Sequence, residues 1–102
     1  VHSMNPLALL NDWVASTRTL LADFGTVVYA KSDSSRPKPS AQLLVSRSSG
    51  DVELILWQSG EAEFAYGSSA APRFEHFDIT SAEDLHVVLE RFLAVLETST
   101  PP

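Results

Sequence analysis

Histidines and paired carboxylates are the residues of this chain whose chemistry would suggest a metal site or an active site. His2 belongs to residues 1–3, which read as a vector remnant before a native Met4. His76 falls in a strand-like segment and His86 in a helical one, and neither has a histidine or carboxylate at the spacing of a known zinc motif. We therefore expect both to be structural or surface residues, with no metal site.

Two pairs of acidic residues, Glu61 with Glu63 and Glu75 with Asp78, have the chemistry that acid–base catalysis requires. Glu61 and Glu63 alternate along a strand-like segment, so both project from one face and stay ionised in solvent. The serine-rich stretches contain no nucleophile elbow, and neither a phosphate loop nor a dinucleotide fingerprint occurs. The sequence predicts a protein that is not an enzyme, with no catalytic residue and no cofactor.

Length and composition predict one globular domain. A chain of 102 residues with 44% hydrophobic and 20% charged residues can bury one core. We assign residues 5–97 to this domain, residues 1–4 to the tag remnant and start, and residues 98–102 to a frayed tail. The sequence contains no cysteine, which excludes disulfides and thiolate metal sites and suits a reducing cytoplasm.

The charge balance narrows the classes of partner. Thirteen acidic residues against seven basic ones give a formal net charge of −6. Nucleic acids are bound through clustered lysines and arginines, which this chain lacks, so we expect no nucleic-acid partner. No run of about 18 apolar residues occurs, which excludes a transmembrane helix, and we expect no membrane partner. The absence of cysteine leads us to expect a cytoplasmic location. The negative charge favours a basic partner or serves solubility alone.

Two amphipathic helices are predicted at the ends of the chain. The first runs from Pro6, behind the N-cap type Asn5, to Phe24, where Gly25 is expected to end it in the left-handed conformation. The second follows two good N-cap residues, Thr80 and Ser81, that have acidic residues three positions on. The apolar stripes are Leu7, Leu10, Trp13, Val14, Leu21 and Phe24 in the first helix and Leu85, Val88, Leu89, Phe92, Val95 and Leu96 in the second.

Five strand-like runs lie between the helices, at residues 26–31, 41–47, 52–57, 61–66 and 73–79, with loops at 32–39 and 67–72. Short connections force neighbouring strands to run antiparallel, because a parallel crossover needs about a dozen or more residues. The order predicts an α+β fold: an antiparallel five-stranded meander packed with an N-terminal and a C-terminal helix as a two-layer sandwich.

The apolar pattern also predicts how two hairpins pair. A three-residue loop ending at Gly60 in the left-handed conformation makes one face wholly apolar, whereas a two-residue loop would place Leu56 beside Glu63. The predicted pairs are Leu56 with Ala62, Leu54 with Phe64, and Val52 with Tyr66. For the preceding hairpin, a turn at Ser49-Gly50 predicts Val45 with Leu54, Leu43 with Leu56, Leu44 with Ile55, and Gln42 with Trp57.

The second face of this predicted sheet has an apolar centre with a charged border, which is typical of recognition surfaces. Alternatively, a helix or loop covers it and makes it a second, smaller core, and the sequence leaves both arrangements open. The candidate partner-binding residues are Leu44, Glu53, Ile55, Trp57, Glu61 and Glu63.

Two segments of the chain resemble the TriTu-type immunity proteins of bacterial polymorphic toxin systems. The run Leu54-Ile55-Leu56-Trp57-Gln58-Ser59-Gly60-Glu61-Ala62-Glu63 is similar to the central hairpin of that family. The run Phe74-Glu75-His76-Phe77-Asp78-Ile79-Thr80-Ser81-Ala82-Glu83-Asp84-Leu85 is similar to its C-terminal part. The resemblance covers residues 52–96 and implies a small cytoplasmic protein that binds and neutralises a cognate toxin domain. It carries over no contact residue.

The expected function is therefore that of an immunity protein, a monomer or weak dimer that occludes the active site of a cognate toxin domain. An acidic surface with an apolar anchor suits a basic cleft, such as that of a nuclease or a nucleotide-using transferase. The alternative is a small acidic secretion chaperone or adaptor for an effector protein, with a groove for an extended peptide. A small-molecule sensor or enzyme needs an enclosed pocket, for which a sandwich of this size seldom has room.

Overall fold

The computed structural model describes residues 5–32, 39–68 and 71–98, and these form two helices and one sheet. The elements are α1 (Pro6–Ala22), β1 (Thr26–Lys31), β2 (Ser40–Ser46), β3 (Val52–Trp57), β4 (Glu61–Ser68), β5 (Ala71–Asp78) and α2 (Ala82–Thr98). Neighbouring strands pair antiparallel in chain order. The predicted α+β meander with a helix at each end is confirmed. The predicted tag remnant and start, and residues 99–102 of the predicted tail, lie outside the described residues, whereas Thr98 belongs to α2.

Both helices pack on the same face of the sheet. α1 contacts β1, β2 and β3, and α2 contacts β3 and α1. Trp13 of α1 meets Phe92 of α2 edge to face with ring centroids 6.5 Å apart, and the Phe92 centroid lies 5.8 Å from that of Phe64 in β4. Burial of this apolar surface is the main favourable contribution to folding. The buried strand residues are Ala41, Leu43, Val45, Val52, Leu54, Leu56, Ala62 and Phe64.

α1 begins as predicted but ends two residues early. The Asn5 side chain accepts a backbone hydrogen bond from the first turn, as an N-cap does. The helix ends at Ala22 rather than Phe24, and Gly25 does not adopt the predicted left-handed conformation. Glycine is needed at this position because a side chain would not fit, and not because of a left-handed backbone conformation. A Cβ atom on Gly25 would lie 2.3 Å from the Ser46 carbonyl oxygen. The chain can therefore enter β1 directly against β2.

The predicted N-cap of α2 is present. Ser81 Oγ accepts a hydrogen bond from the Asp84 backbone N–H at 3.2 Å. The Asp84 carboxylate accepts hydrogen bonds from the Thr80 N–H at 2.9 Å and from the Thr80 hydroxyl at 2.7 Å. These bonds hold the pKa of Asp84 below its usual value. The six residues of the predicted apolar stripe are all buried.

The β2–β3 hairpin corrects the predicted register. The turn is Ser48-Ser49 rather than Ser49-Gly50, and the Gly50 N–H donates to the Arg47 carbonyl at 3.1 Å. Each predicted pair is therefore wrong by two residues, although a two-residue shift leaves every side chain on its face. The observed pairs are Val45 with Val52, Leu43 with Leu54, Leu44 with Glu53, Gln42 with Ile55, and Ser40 with Trp57.

The β3–β4 hairpin has the predicted three-residue loop. Leu54 faces Phe64 and Leu56 faces Ala62. Gly60 has φ +104°, and its N–H donates to the Trp57 carbonyl at 2.9 Å. A Cβ atom at Gly60 would lie 2.3 Å from the Ile79 carbonyl oxygen, so the loop packs closely against the end of β5.

β4 and β5 are longer than predicted. Their pairing continues through Gly67 with Pro72 and Ser68 with Ala71, where the sequence predicted a loop. A polar cluster joins this hairpin to α2: the Tyr66 hydroxyl donates to Glu75 Oε2 at 2.5 Å, and Arg91 Nη2 donates to the same oxygen at 2.7 Å. The Arg91 contact lowers the pKa of the Glu75 carboxyl.

Candidate protein-binding surface

The sheet face opposite the helices, here called the open face, carries side chains in rows across the strands. The first row is Val28, Leu44, Glu53, Ala65 and Phe74. The second row is Ala30, Gln42, Ile55, Glu63 and His76. The third row has Ser40 beside Trp57, and Glu61 beside Asp78. Both helices bury their apolar stripes on the other face, so neither covers these rows.

All six residues predicted to bind a partner lie on the open face, namely Leu44, Glu53, Ile55, Trp57, Glu61 and Glu63. Of the alternative in which a helix or a loop covers this patch, the helix is wrong, because α1 and α2 share the buried face, while residues 33–38 of the predicted loop 32–39 lie outside the described residues. Leu44, Ile55 and Trp57 are each half-buried by their neighbours. The side chains form an apolar centre in three successive rows, with the glutamates around it.

The most exposed apolar side chains of the open face stand at the two ends of the first row. Phe74 on β5 is 73% exposed, and Val28 on β1 is 44% exposed. Both strands are edge strands of the sheet. The exposed apolar surface of the open face therefore extends beyond the predicted patch to both edges.

His76 links two carboxylates at the acidic side of the open face. Its Nδ1 lies 2.8 Å from Glu63 Oε1, and its Nε2 lies 3.2 Å from Asp78 Oδ1. A neutral imidazole has only one N–H, so both contacts are hydrogen bonds from the ring only when it is protonated. The hydrogen bond to Glu63 raises the pKa of His76 most, and the hydrogen bond to Asp78 raises it further. The charge of this side of the surface thus changes with the protonation of one residue.

A groove of about 480 Å³ lies at the other side of the open face. Its floor is β4, where Ala65 and Gly67 face the groove, while Tyr66 between them packs its side chain against the core on the other face. One wall is acidic and comes from Asp51 and Glu53 of the β2–β3 hairpin. The opposite wall is apolar and consists of Pro72 and Phe74 of β5. The two walls differ in chemistry, so the groove suits a ligand with a cationic and an apolar part.

Polar residues of β2 position both carboxylates of the acidic wall. The Ser46 hydroxyl donates to Asp51 Oδ1 at 2.9 Å, and the Gln42 side-chain amide donates to Glu53 Oε2. Among the described residues, no hydrogen bond reaches the second oxygen of either carboxylate. Each carboxylate is therefore held in place with acceptor capacity left for a ligand.

The other groups singled out by the sequence are not brought together. Glu75 projects from the buried face of β5 and Asp78 from the open face, so they do not form an acid–base pair. His86 pairs with Glu90 within α2 at 2.8 Å, whereas His76 lies on the open face of β5. Within the described ranges, no group of three or more histidine or acidic side chains has the geometry to hold a metal ion. Neither described helix is long and apolar enough to cross a membrane.

Phe74 and His76 are among the residues of this surface that were not predicted. Their strand was predicted, but neither residue was assigned to a face, because no pairing between β4 and β5 was derived. The alternation in β5 is also unclear: Glu75 and Phe77 point to the buried face, while Phe74 and His76 point to the open face. The register is that of Ser68 paired with Ala71, at the end of both strands where the sequence predicted a loop.

No protein-family model, no curated protein and no solved structure matches this chain.

Proposed function

We propose that this chain is an immunity protein that binds a cognate toxin domain through the open face and blocks the toxin's active site. The observation that carries the proposal is the one-sided covering of the sheet. Both helices lie on one face, while the other keeps apolar side chains beside the carboxylates of Glu53, Glu61, Glu63 and Asp78. This is the composition expected of a surface that buries an apolar centre inside a charged rim.

Charge supports a partner with a basic cleft. The chain has a formal net charge of −6, and the carboxylates of the open face lie beside its apolar residues on β3, β4 and β5. Opposite charge on a partner accelerates encounter, and burial of apolar side chains slows dissociation. Clefts that bind nucleic acids or nucleotides are basic, so a toxin acting on such substrates would be complementary to this face.

Two further properties belong to this proposal. A protein that acts by occlusion needs no catalytic residue and no cofactor of its own. Such a protein would act in the cytoplasm, where the toxin acts, as a monomer or a weak dimer. The resemblance of residues 52–96 to TriTu-type immunity proteins supports the same function.

The test uses the protein encoded beside this chain's gene, produced with and without this chain in a bacterial host. The proposal predicts that the neighbouring protein stops growth alone, that this chain restores growth, and that the purified pair forms a stable one-to-one complex without toxin activity. A complex in which the toxin remains active would contradict occlusion. Binding only to an extended, unfolded segment would identify the chain as a secretion chaperone or adaptor instead.

A further inference from the structure

We propose that the groove over Ala65 and Gly67 receives one arginine side chain of the partner protein. The guanidinium would lie against Glu53 and Asp51, and the carbon chain would lie against Phe74. This inference rests on the proposed function and specifies how the partner is recognised at one point of the open face.

The shape of the groove fits a single long side chain. Neighbouring strands are about 4.8 Å apart, so walls on β3 and β5 are separated by roughly 10 Å. Between them, β4 places a methyl group at Ala65 and no side chain at Gly67. The space between the walls is wide enough for one extended side chain to lie along the floor.

The acidic wall selects a cation. Asp51 and Glu53 bring two carboxylates to the same side of the groove, and β2 holds one oxygen of each through Ser46 and Gln42. A planar guanidinium offers paired N–H donors that match carboxylate oxygens, whereas the lysine ammonium acts as a point charge. Preorganised acceptors of this kind favour arginine over lysine.

The apolar wall selects the rest of the side chain. Phe74 is 73% exposed and lines the groove. A guanidinium stacks on an aromatic ring, and the carbon chain of arginine packs against apolar surface while its charge remains at a polar site. A purely apolar side chain would instead desolvate the carboxylates without replacing their hydrogen bonds.

The chain's own arginine at the groove is already bonded elsewhere. Arg47 lines one end, but its Nε donates to the Gly50 carbonyl and its Nη1 to the Leu96 carbonyl of α2, both at 3.2 Å. Arg47 therefore serves the hairpin and α2, which leaves the acidic wall for a cation from outside.

The test titrates isotopically labelled protein with N-acetyl-arginine amide and follows backbone amide resonances by NMR. The control ligand is N-acetyl-citrulline amide, which has the same shape without the charge. We expect saturable shifts at Glu53, Ala65 and Phe74 with arginine, and at least about fivefold weaker binding of citrulline, because the ion pair and the cation–π contact are lost.

Two matched variants test whether the arginine ligand binds in the groove. Ala65→Leu fills the floor and should reduce arginine binding by about fivefold or more, while Ala30→Leu adds the same bulk elsewhere on the open face and should leave binding unchanged. Chemical shifts away from the substituted residue report that both variants are folded. Glu53→Gln should weaken the binding of the arginine ligand and leave the weak binding of the citrulline ligand unchanged.

Equal binding of arginine and citrulline would overturn the inference, as would arginine shifts that survive Ala65→Leu. Neither result touches the proposed function, which is judged by toxin neutralisation with the unaltered chain. Conversely, a chain that binds arginine in the groove but fails to neutralise the neighbouring protein would overturn the proposed function alone.

Discussion

His76 on β5 and Glu63 on β4 face each other across the sheet, with His76 Nδ1 2.8 Å from Glu63 Oε1. The opposite ring nitrogen lies 3.2 Å from Asp78 Oδ1. The protonated form of an exposed histidine is stabilised when the ring lies between two carboxylates. Its position on the open face makes the charge of that face dependent on pH in the physiological range.

We expect the pKa of His76 to lie above the usual value for histidine, because Glu63 and Asp78 stabilise its protonated form. Protonation then stabilises the folded state. This contribution is complete below the pKa of unfolded histidine, about 6.5, and is lost as the pH rises through the folded-state pKa. NMR titration of the ring protons measures the pKa. Glu63→Gln should lower it, and a wild-type value at or below that of a free histidine would contradict the arrangement.

Tyr29 provides a second prediction, which concerns stability. Its hydroxyl oxygen is buried and has no hydrogen-bond partner among the described residues, and burial raises the pKa of the phenol. Removing an unsatisfied hydroxyl costs nothing or helps, so Tyr29→Phe should leave the free energy of unfolding unchanged or raise it by up to about 1 kcal/mol. Urea unfolding measures the change.

Tyr66→Phe is the matched control for that experiment. The Tyr66 hydroxyl donates to Glu75 and accepts from Arg91 at 3.0 Å, so the same substitution should cost about 1 kcal/mol. A loss at Tyr29 as large as that at Tyr66 would mean that the Tyr29 hydroxyl is satisfied in solution.

The faces of the central strands were predictable because the three-residue loop at Gly60 pairs only apolar residues on one face, Leu54 with Phe64 and Leu56 with Ala62, although β2 and β3 carry apolar residues on both faces. The alternation of faces along a strand repeats every two residues, so it cannot distinguish two registers that differ by two. The β2–β3 turn is instead held by polar contacts: Ser46 to Asp51 at 2.9 Å, and Arg47 to Gly50 and to Leu96 of α2. The contact with Leu96 joins distant parts of the chain, which a local pattern does not reveal.

The candidate surface was predictable only in its centre. The alternation placed Leu44, Ile55 and Trp57 on one face, but which face the helices cover depends on tertiary packing. The groove could not be predicted from the sequence for a related reason. The groove forms where Ala65 lies between Glu53 and Phe74 in one row. These three residues can be aligned only when the registers of both the β3–β4 and the β4–β5 pairs are known.

The acidic border of the open face should control the rate of association with a basic partner. Surface charges act over about a Debye length, roughly 8 Å at physiological ionic strength, so added salt should slow association far more than it speeds dissociation. Replacing Glu61 and Glu63 by glutamine should reduce this salt dependence. The control replaces Glu83 and Glu97 of α2, which removes the same charge from the helical side. Stopped-flow association rates that do not change with salt would contradict the prediction.

Trp57 tests whether the apolar centre of the open face binds the partner or only supports the sheet. Its side chain is half-buried on that face and lies opposite Ser40, away from the core. We expect Trp57→Ala to cost about 2 kcal/mol or more of binding free energy, as an interface anchor does. Its effect on stability should be well below the roughly 3–5 kcal/mol expected when a buried aromatic residue is removed.

Phe64→Ala gives the reference for that comparison, because Phe64 is fully buried against Phe92 of α2 and its removal should cost the larger amount of stability. Thermal unfolding and partner titration of the same proteins separate the two roles. If Trp57→Ala destabilises the fold as much as Phe64→Ala, the tryptophan is a structural residue. If the variant folds normally and binds its partner at full strength, the anchor lies elsewhere on the open face, and Phe74 is the next residue to replace because its ring is the most exposed there.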